Sequence, residues 1–191
     1  SGSVRFGTVM HEVFDFWQKK KNENQSVNLD DILNEVEKRI NKLKIPENEK
    51  KNEKIRATKS FTNFYENRNE IFEKTAKSEV KFNNIIIDND ILIGGNIDRI
   101  EIDENTKTIT IVDFKTGNIT DKDNFKNKTK LHKYEIQLYF YKILLENSVE
   151  YSKYKVNTGR LEFIEGDEKY QIPITKSVQF DKETESRIKN M

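Results

Sequence analysis

The stretch from Gly94 to Gly117, GGNIDRIEIDENTKTITIVDFKTG, constrains the chain most tightly. Two runs alternate apolar and polar residues, and the polar DENTK segment separates them. That pattern reads as two antiparallel strands joined by a turn. Strand side chains alternate faces, so Asp113 and Lys115 share one side and Phe114 points into a core. Asp98 lies one strand earlier. Two acids and a base at a strand end are the residue types that could hold a divalent metal beside a polarised water.

The neighbouring segments extend the same sheet. Glu79, Lys81 and Asn83 alternate with Val80 and Phe82 before a turn at Asn89-Asp90, giving an antiparallel meander of three strands. Gly94-Gly95 marks a bulge or a close backbone approach. Glu79 could reach the acids, but it reads more simply as a surface strand carboxylate. Two later strands are expected at Arg160–Ile164 and Lys169–Ile174, joined by a tight turn at residues 165–168. FDKETESRIKNM closes the chain as a helix capped at Asp181.

The N-terminal part is helical. Val4, Val9, Met10, Val13, Phe14 and Trp17 recur at helical spacing, predicting a helix to about Lys19. His11 borders that stripe, as a half-buried packing residue or as a ligand. Gly7, one turn earlier, costs about 1 kcal/mol inside a helix, so it serves close approach or marks the helix start. HEVFD at 11–15 lacks the second histidine of HExxH, which excludes a zincin. Ser26 or Asn28 can cap a second helix, which Pro46 is expected to end. A third helix should run to about Lys77, with Ile55, Phe61, Phe64, Tyr65, Ile71 and Phe72 inside. The charges of both helices read as solvated faces.

Between the sheet and the next helix the chain turns basic. From Lys115 to Lys133, six lysines face only Asp121 and Asp123, a local net charge of +4. Lys122, Lys126, Lys128, Lys130 and Lys133 suit a phosphate backbone or form an ordinary lysine loop. A helix follows over roughly 131–147. It carries Gln137 and Tyr141, four apart on one face.

Composition narrows the field. The 191 residues suggest one domain, 1–191, with a helical part at 4–77 and a sheet-containing core at 78–191. Residues 1–3 read as an expression scar, and the apolar start that follows reads as a piece cut from a longer protein. The net charge of +1 provides no global field for nucleic acid, so any such site must come from a local patch. The absence of cysteine excludes disulfides, Cys-ligated zinc and Cys-ligated iron–sulfur clusters. With no membrane span and no signal peptide in view, a cytoplasmic protein is expected.

In order, the motifs form a series: G-x-x-x-H at Gly7 and His11; G-x-x-D-R at Gly95, Asp98 and Arg99; D-F-K-T-G at 113–117; and Q-L-x-x-Y at Gln137, Leu138 and Tyr141. This series resembles the RecB-like branch of the PD-(D/E)XK nuclease superfamily, over about residues 4–174. The resemblance implies an α/β restriction-endonuclease-like core, a mixed and mainly antiparallel sheet flanked by helices, with an N-terminal helical region. It implies that His11, Asp98, Asp113 and the Phe114 carbonyl hold Mg²⁺ or Mn²⁺, with Lys115 as the catalytic lysine. Gln137 and Tyr141 would support the catalytic carboxylates and DNA binding. The implied activity is metal-dependent hydrolysis of DNA, in a domain of a recombination or repair helicase-nuclease. The alternative is a nuclease-like module that binds DNA or serves as a scaffold without catalysis. Some members of the branch carry four cysteines for an iron–sulfur cluster, and this chain is not one of those.

Overall fold

A computed structural model of the chain describes residues 2–88, 90–117, 128–167 and 172–191. Helix α1 (Gly2–Asn22) follows from the apolar stripe and runs one turn past the expected end. Gly7 therefore lies inside this helix rather than at its start. Asn28 caps α2 (Leu29–Asn41) in a full capping box: its side chain accepts from the Asp31 N–H, and Asp31 accepts from the Asn28 N–H, each at 2.9 Å. The role expected of Pro46 is corrected. Helix α2 stops at Asn41, and Pro46 instead precedes α3 (Glu47–Arg68), where its missing N–H costs no helical bond. Helix α3 also ends earlier than expected and passes into a 3₁₀ turn at Asn69–Glu73.

Strands β1 (Ala76–Ile87), β2 (Ile91–Asp103) and β3 (Thr108–Lys115) form the antiparallel meander. Helix α4 (Lys128–Asn147) follows, then β4 (Lys155–Phe163), β5 (Ile174–Gln179) and α5 (Lys182–Lys189). Strand β5 begins at Ile174, and Lys169, where the second late strand was expected to start, lies outside the described residues. Asp181 caps α5 as expected, accepting from the Thr184 N–H at 2.7 Å.

The sheet order is β1-β2-β3-β4-β5. Strand β4 runs in the same direction as β3. Lys155 N–H donates to the Lys107 carbonyl near their starts, and Ile164 N–H to the Lys115 carbonyl near their ends. Strand β5 runs opposite to β4: Phe180 N–H reaches the Asn157 carbonyl while Thr158 reaches Gln179. The result is a mixed, mainly antiparallel sheet in an α/β fold.

The chain divides into two compact units. The first takes in Ser1–Lys74, Phe114–Asn124 and Glu162–Ile174. Its core is aromatic. Phe14 lies 4.1 Å from Phe114 at 20°, and Trp17 stacks on Phe72 at 3.8 Å and 3°. Phe61 and Phe64 close around Phe14. Phe114 is buried, as the alternation of β3 predicted. The second unit takes in Thr75–Asp113, Phe125–Leu161 and Thr175–Met191. Helix α4 packs on β1 and β2, and α5 joins α4 through a 2.9 Å ion pair between Lys142 and Glu185. Close packing of α4 requires Gly95: a Cβ there would lie 3.0 Å from Leu144 Cδ1 and 3.6 Å from Phe140 Cε1.

Candidate active site

The register of the meander builds the carboxylate group. Arg99 pairs with Val112 and Ile100 with Ile111. Continuing that register by one step sets Asp98 opposite Asp113. Directly opposed residues of an antiparallel pair point to the same face, with Cβ atoms about 4.5–5.5 Å apart. Both are buried, at 9% and 3% exposure. On the other side of β2, Ser78 pairs with Arg99 and Val80 with Ile97, so Glu79 falls level with Asp98. Glu79 is not a plain surface residue: it is half-buried, has φ 49°, and accepts from the Asn96 side-chain amide. A non-glycine residue in that region is uncommon and marks a functional or strained position. The alternation of the sequence carries no sign of that backbone angle.

Tyr141, buried on α4, reports the charge gathered here. Burial pushes its phenol well above the ordinary range, and the negative charges of Asp113 and Asp98 add to the rise. Glu79 adds less, while a hydrogen bond with Gln137 opposes the shift. Gln137 Nε2 donates to the Tyr141 hydroxyl at 2.8 Å. The two residues therefore form one polar unit, and the phenol stays neutral at physiological pH, with its proton available to an acceptor.

Two carboxylates on neighbouring strands form a hard oxygen donor set. That fits a divalent cation which keeps several of its own waters. Among the described residues, no three or more His, Asp or Glu side chains gather into a group able to hold a metal. His11 lies half-buried on α1 in the other unit, four residues after Gly7. A Cβ at Gly7 would be 4.0 Å from the Thr116 methyl, so α1 runs beside the D-F-K-T-G turn. The Phe114 ring is in the aromatic core, and half-buried Lys115 ends β3.

The expected phosphate-contacting lysines are only partly described. Lys122 and Lys126 lie outside the described residues, as does the side chain of Lys128. Lys130 and Lys133 are exposed on the first turns of α4, and the Lys130 ammonium stands 5.8 Å over the Tyr134 ring.

Arg99, next to Asp98, is almost fully buried. Its Nε lies 3.3 Å from Glu101 Oε2, and Arg160 grips Glu101 with two bonds of 2.7 and 2.9 Å. Sequence reasoning missed Glu101 and Arg160. Their 59-residue separation leaves no local signal. It also missed Glu165, which accepts from the Gly117 N–H and from Arg56.

The family model of the PD-(D/E)XK nuclease superfamily matches residues 2–190, and the chain belongs to that superfamily. Its members are generally nucleases and typically use divalent metals. None of the curated proteins matches the chain. A solved structure described as the crystal structure of SSO0001 is similar at 20% identity and a TM-score of 0.37. That similarity covers 68% of this chain, which spans about half (52%) of that protein's length.

Proposed function

We propose that the chain is a divalent-metal-dependent deoxyribonuclease of the RecB-like branch, working as the nuclease domain of a larger helicase-nuclease in DNA recombination or repair. The observation that carries this reading is the Asp98–Asp113 pair, opposed across β2 and β3, with its charge felt by Tyr141. Asp98, Asp113, the Phe114 carbonyl and His11 would hold Mg²⁺ or Mn²⁺, the imidazole favouring the softer Mn²⁺. The bound ion would make a water nucleophilic near neutral pH and offset transition-state charge.

The chain's own residues do the rest. Lys115 shares a face with Asp113 and, as an ammonium, orients the attacking water and offsets charge at the scissile phosphate. Tyr141, kept neutral and hydrogen-bonded to Gln137, presents a polar edge beside the carboxylates. Lys122, Lys126, Lys128, Lys130 and Lys133 follow the DNA backbone by charge. No helix among the described residues is long and apolar enough to cross a membrane, and DNA in the cytoplasm is the proposed partner.

The test is digestion of single-stranded, linear and end-blocked DNA with Mg²⁺, Mn²⁺ or chelator. Cleavage should require metal and disappear in Asp113→Ala and Lys115→Ala at unchanged circular dichroism. Intact DNA under every metal condition overturns the reading. DNA binding that persists without cleavage, and with no metal uptake in calorimetry, would identify a non-catalytic scaffold instead.

A further inference from the structure

We propose that Arg56 and Glu165 form a positioning clamp that fixes the backbone of Lys115–Gly117. The clamp's catalytic consequence rests on the nuclease reading above; its geometry does not. After Lys115 the chain leaves β3 through Thr116 and Gly117. Gly117 has φ +92°, and a Cβ there would meet nothing within 4 Å, so glycine is required for the backbone angle and not for space. A segment leaving a strand this way loses the ladder bonds that held it.

Two consecutive residues beyond β4 replace them. Ile164 N–H donates to the Lys115 carbonyl at 3.1 Å. The Glu165 carboxylate accepts from the Gly117 N–H. Glu165 is in turn fixed by a bidentate fork: Arg56 Nε donates to Oε1 at 2.7 Å and Nη2 to Oε2 at 2.8 Å. The Arg56 guanidinium carbon stands over the Phe6 ring, 4.1 Å from its centroid, and Phe6 is buried on α1. The Glu165 side chain is only 11% exposed. A rigid chain of contacts therefore runs from α1 through α3 to the amide two residues after the lysine.

Burial alone would raise the Glu165 pKa, but the Arg56 hydrogen bonds, the Gly117 N–H and the Arg56 charge outweigh it and hold the carboxyl below the ordinary glutamate range. The group is therefore an anion under working conditions, the form that accepts both bonds. A lysine that must meet a water and a phosphate tolerates displacements well under 1 Å, and supporting residues of this kind typically matter 10–100-fold.

The experiment compares the full chain with Glu165→Ala, Glu165→Gln, Arg56→Ala and Lys115→Ala, each well below its melting temperature. Two readouts are taken: kcat and KM for metal-dependent DNA cleavage, and amide hydrogen exchange at Gly117 with Val36 on α2 as control. Glu165→Ala should lower kcat about 10–100-fold with KM within about twofold, and speed Gly117 exchange about tenfold or more with Val36 unchanged. Glu165→Gln keeps an acceptor oxygen and should restore Gly117 protection and part of kcat. A pair that merely staples α3 would lower the melting temperature and leave both readouts at wild-type values; that result overturns the clamp. If Lys115→Ala abolishes cleavage while Glu165→Ala leaves kcat and Gly117 exchange at their wild-type values, the clamp fails and the nuclease reading stands. If wild type cuts nothing, the nuclease reading fails, and Gly117 exchange alone decides: acceleration in Glu165→Ala upholds the clamp, and unchanged exchange overturns it.

Discussion

Two buried regions hold this fold by opposite means. Around Phe14 the interior is aromatic: Trp17, Phe61, Phe64, Phe72 and Phe114 fill it with rings at stacked and edge-on angles. On β2 the interior is charged. Asp98, Arg99 and Glu101 are all buried within four residues, and Asp113 joins from the neighbouring β3 and Arg160 from β4 beyond it. Rings stabilise simply by leaving water, each pair adding about 0.5–1.5 kcal/mol beyond its area. Buried charges lose hydration and recover it only through well-formed partners. Glu101, gripped by two arginines, recovers it. The Asp98–Asp113 pair sets like charges opposite each other, an arrangement that by itself opposes folding. The aromatic region stabilises by burial alone, whereas opposed carboxylates are an arrangement that a bound cation would relieve.

The sharpest break in this comparison is Phe14→Ala. It should cost about 3–5 kcal/mol, because the ring touches several others and the cavity cannot collapse without moving them. Urea denaturation measures it. A loss below about 1 kcal/mol would show that the cluster is loosely packed.

Glu101→Ala should come next, at about 3 kcal/mol, since it removes the buried carboxylate that Arg99 and Arg160 both bond. Glu101→Gln keeps acceptor capacity and should lose less. Equal losses for the two variants would mean that shape, not charge, sets the cost.

These two regions were not equally legible in the sequence. The helical stripe of α1 and the two-residue period of β2 and β3 are local signals, so the aromatic core, the meander and the opposed acids could all be read from spacing. Asn28 and Asp181 were legible as caps because capping chemistry spans only three residues. Pro46 was misread because proline both terminates helices and suits their first turn, and sequence alone does not choose between these. Glu79 was discounted because a left-handed φ in a non-glycine residue is imposed by its surroundings. Arg160 with Glu101 and Arg56 with Glu165 stand 59 and 109 residues apart, pairings that only the folded topology creates.

A smaller effect separates the regions by pH. Glu165 has a depressed folded-state pKa, so its contribution to stability is complete above the unfolded glutamate pKa of about 4.3 and is lost as pH falls through the folded value. Wild type should exceed Glu165→Gln in urea midpoint at pH 7, and the gap should close below about pH 4. Phe14→Ala carries no titrating group and should show the same deficit at both pH values.

The smallest expected change has the opposite sign, and for that reason it tests the comparison most directly. Asp113→Asn keeps the shape of the side chain and removes one of two opposed charges. In metal-free protein it should leave stability unchanged or raise it by about 0.2–1 kcal/mol, the size of a like-charge pair relieved across two strands. The same variant should abolish metal-dependent cleavage, and the apparent stabilisation of the wild type by added Mn²⁺ should vanish with it, because a ligand stabilises only the state that binds it. A gain in stability coupled to loss of metal response would mean that Asp113 is kept for binding at a cost to the fold. A clear loss of stability without metal would instead place Asp113 beside Glu101, as a carboxylate whose partners already neutralise it, and would remove the physical reason for reading the pair as a metal site.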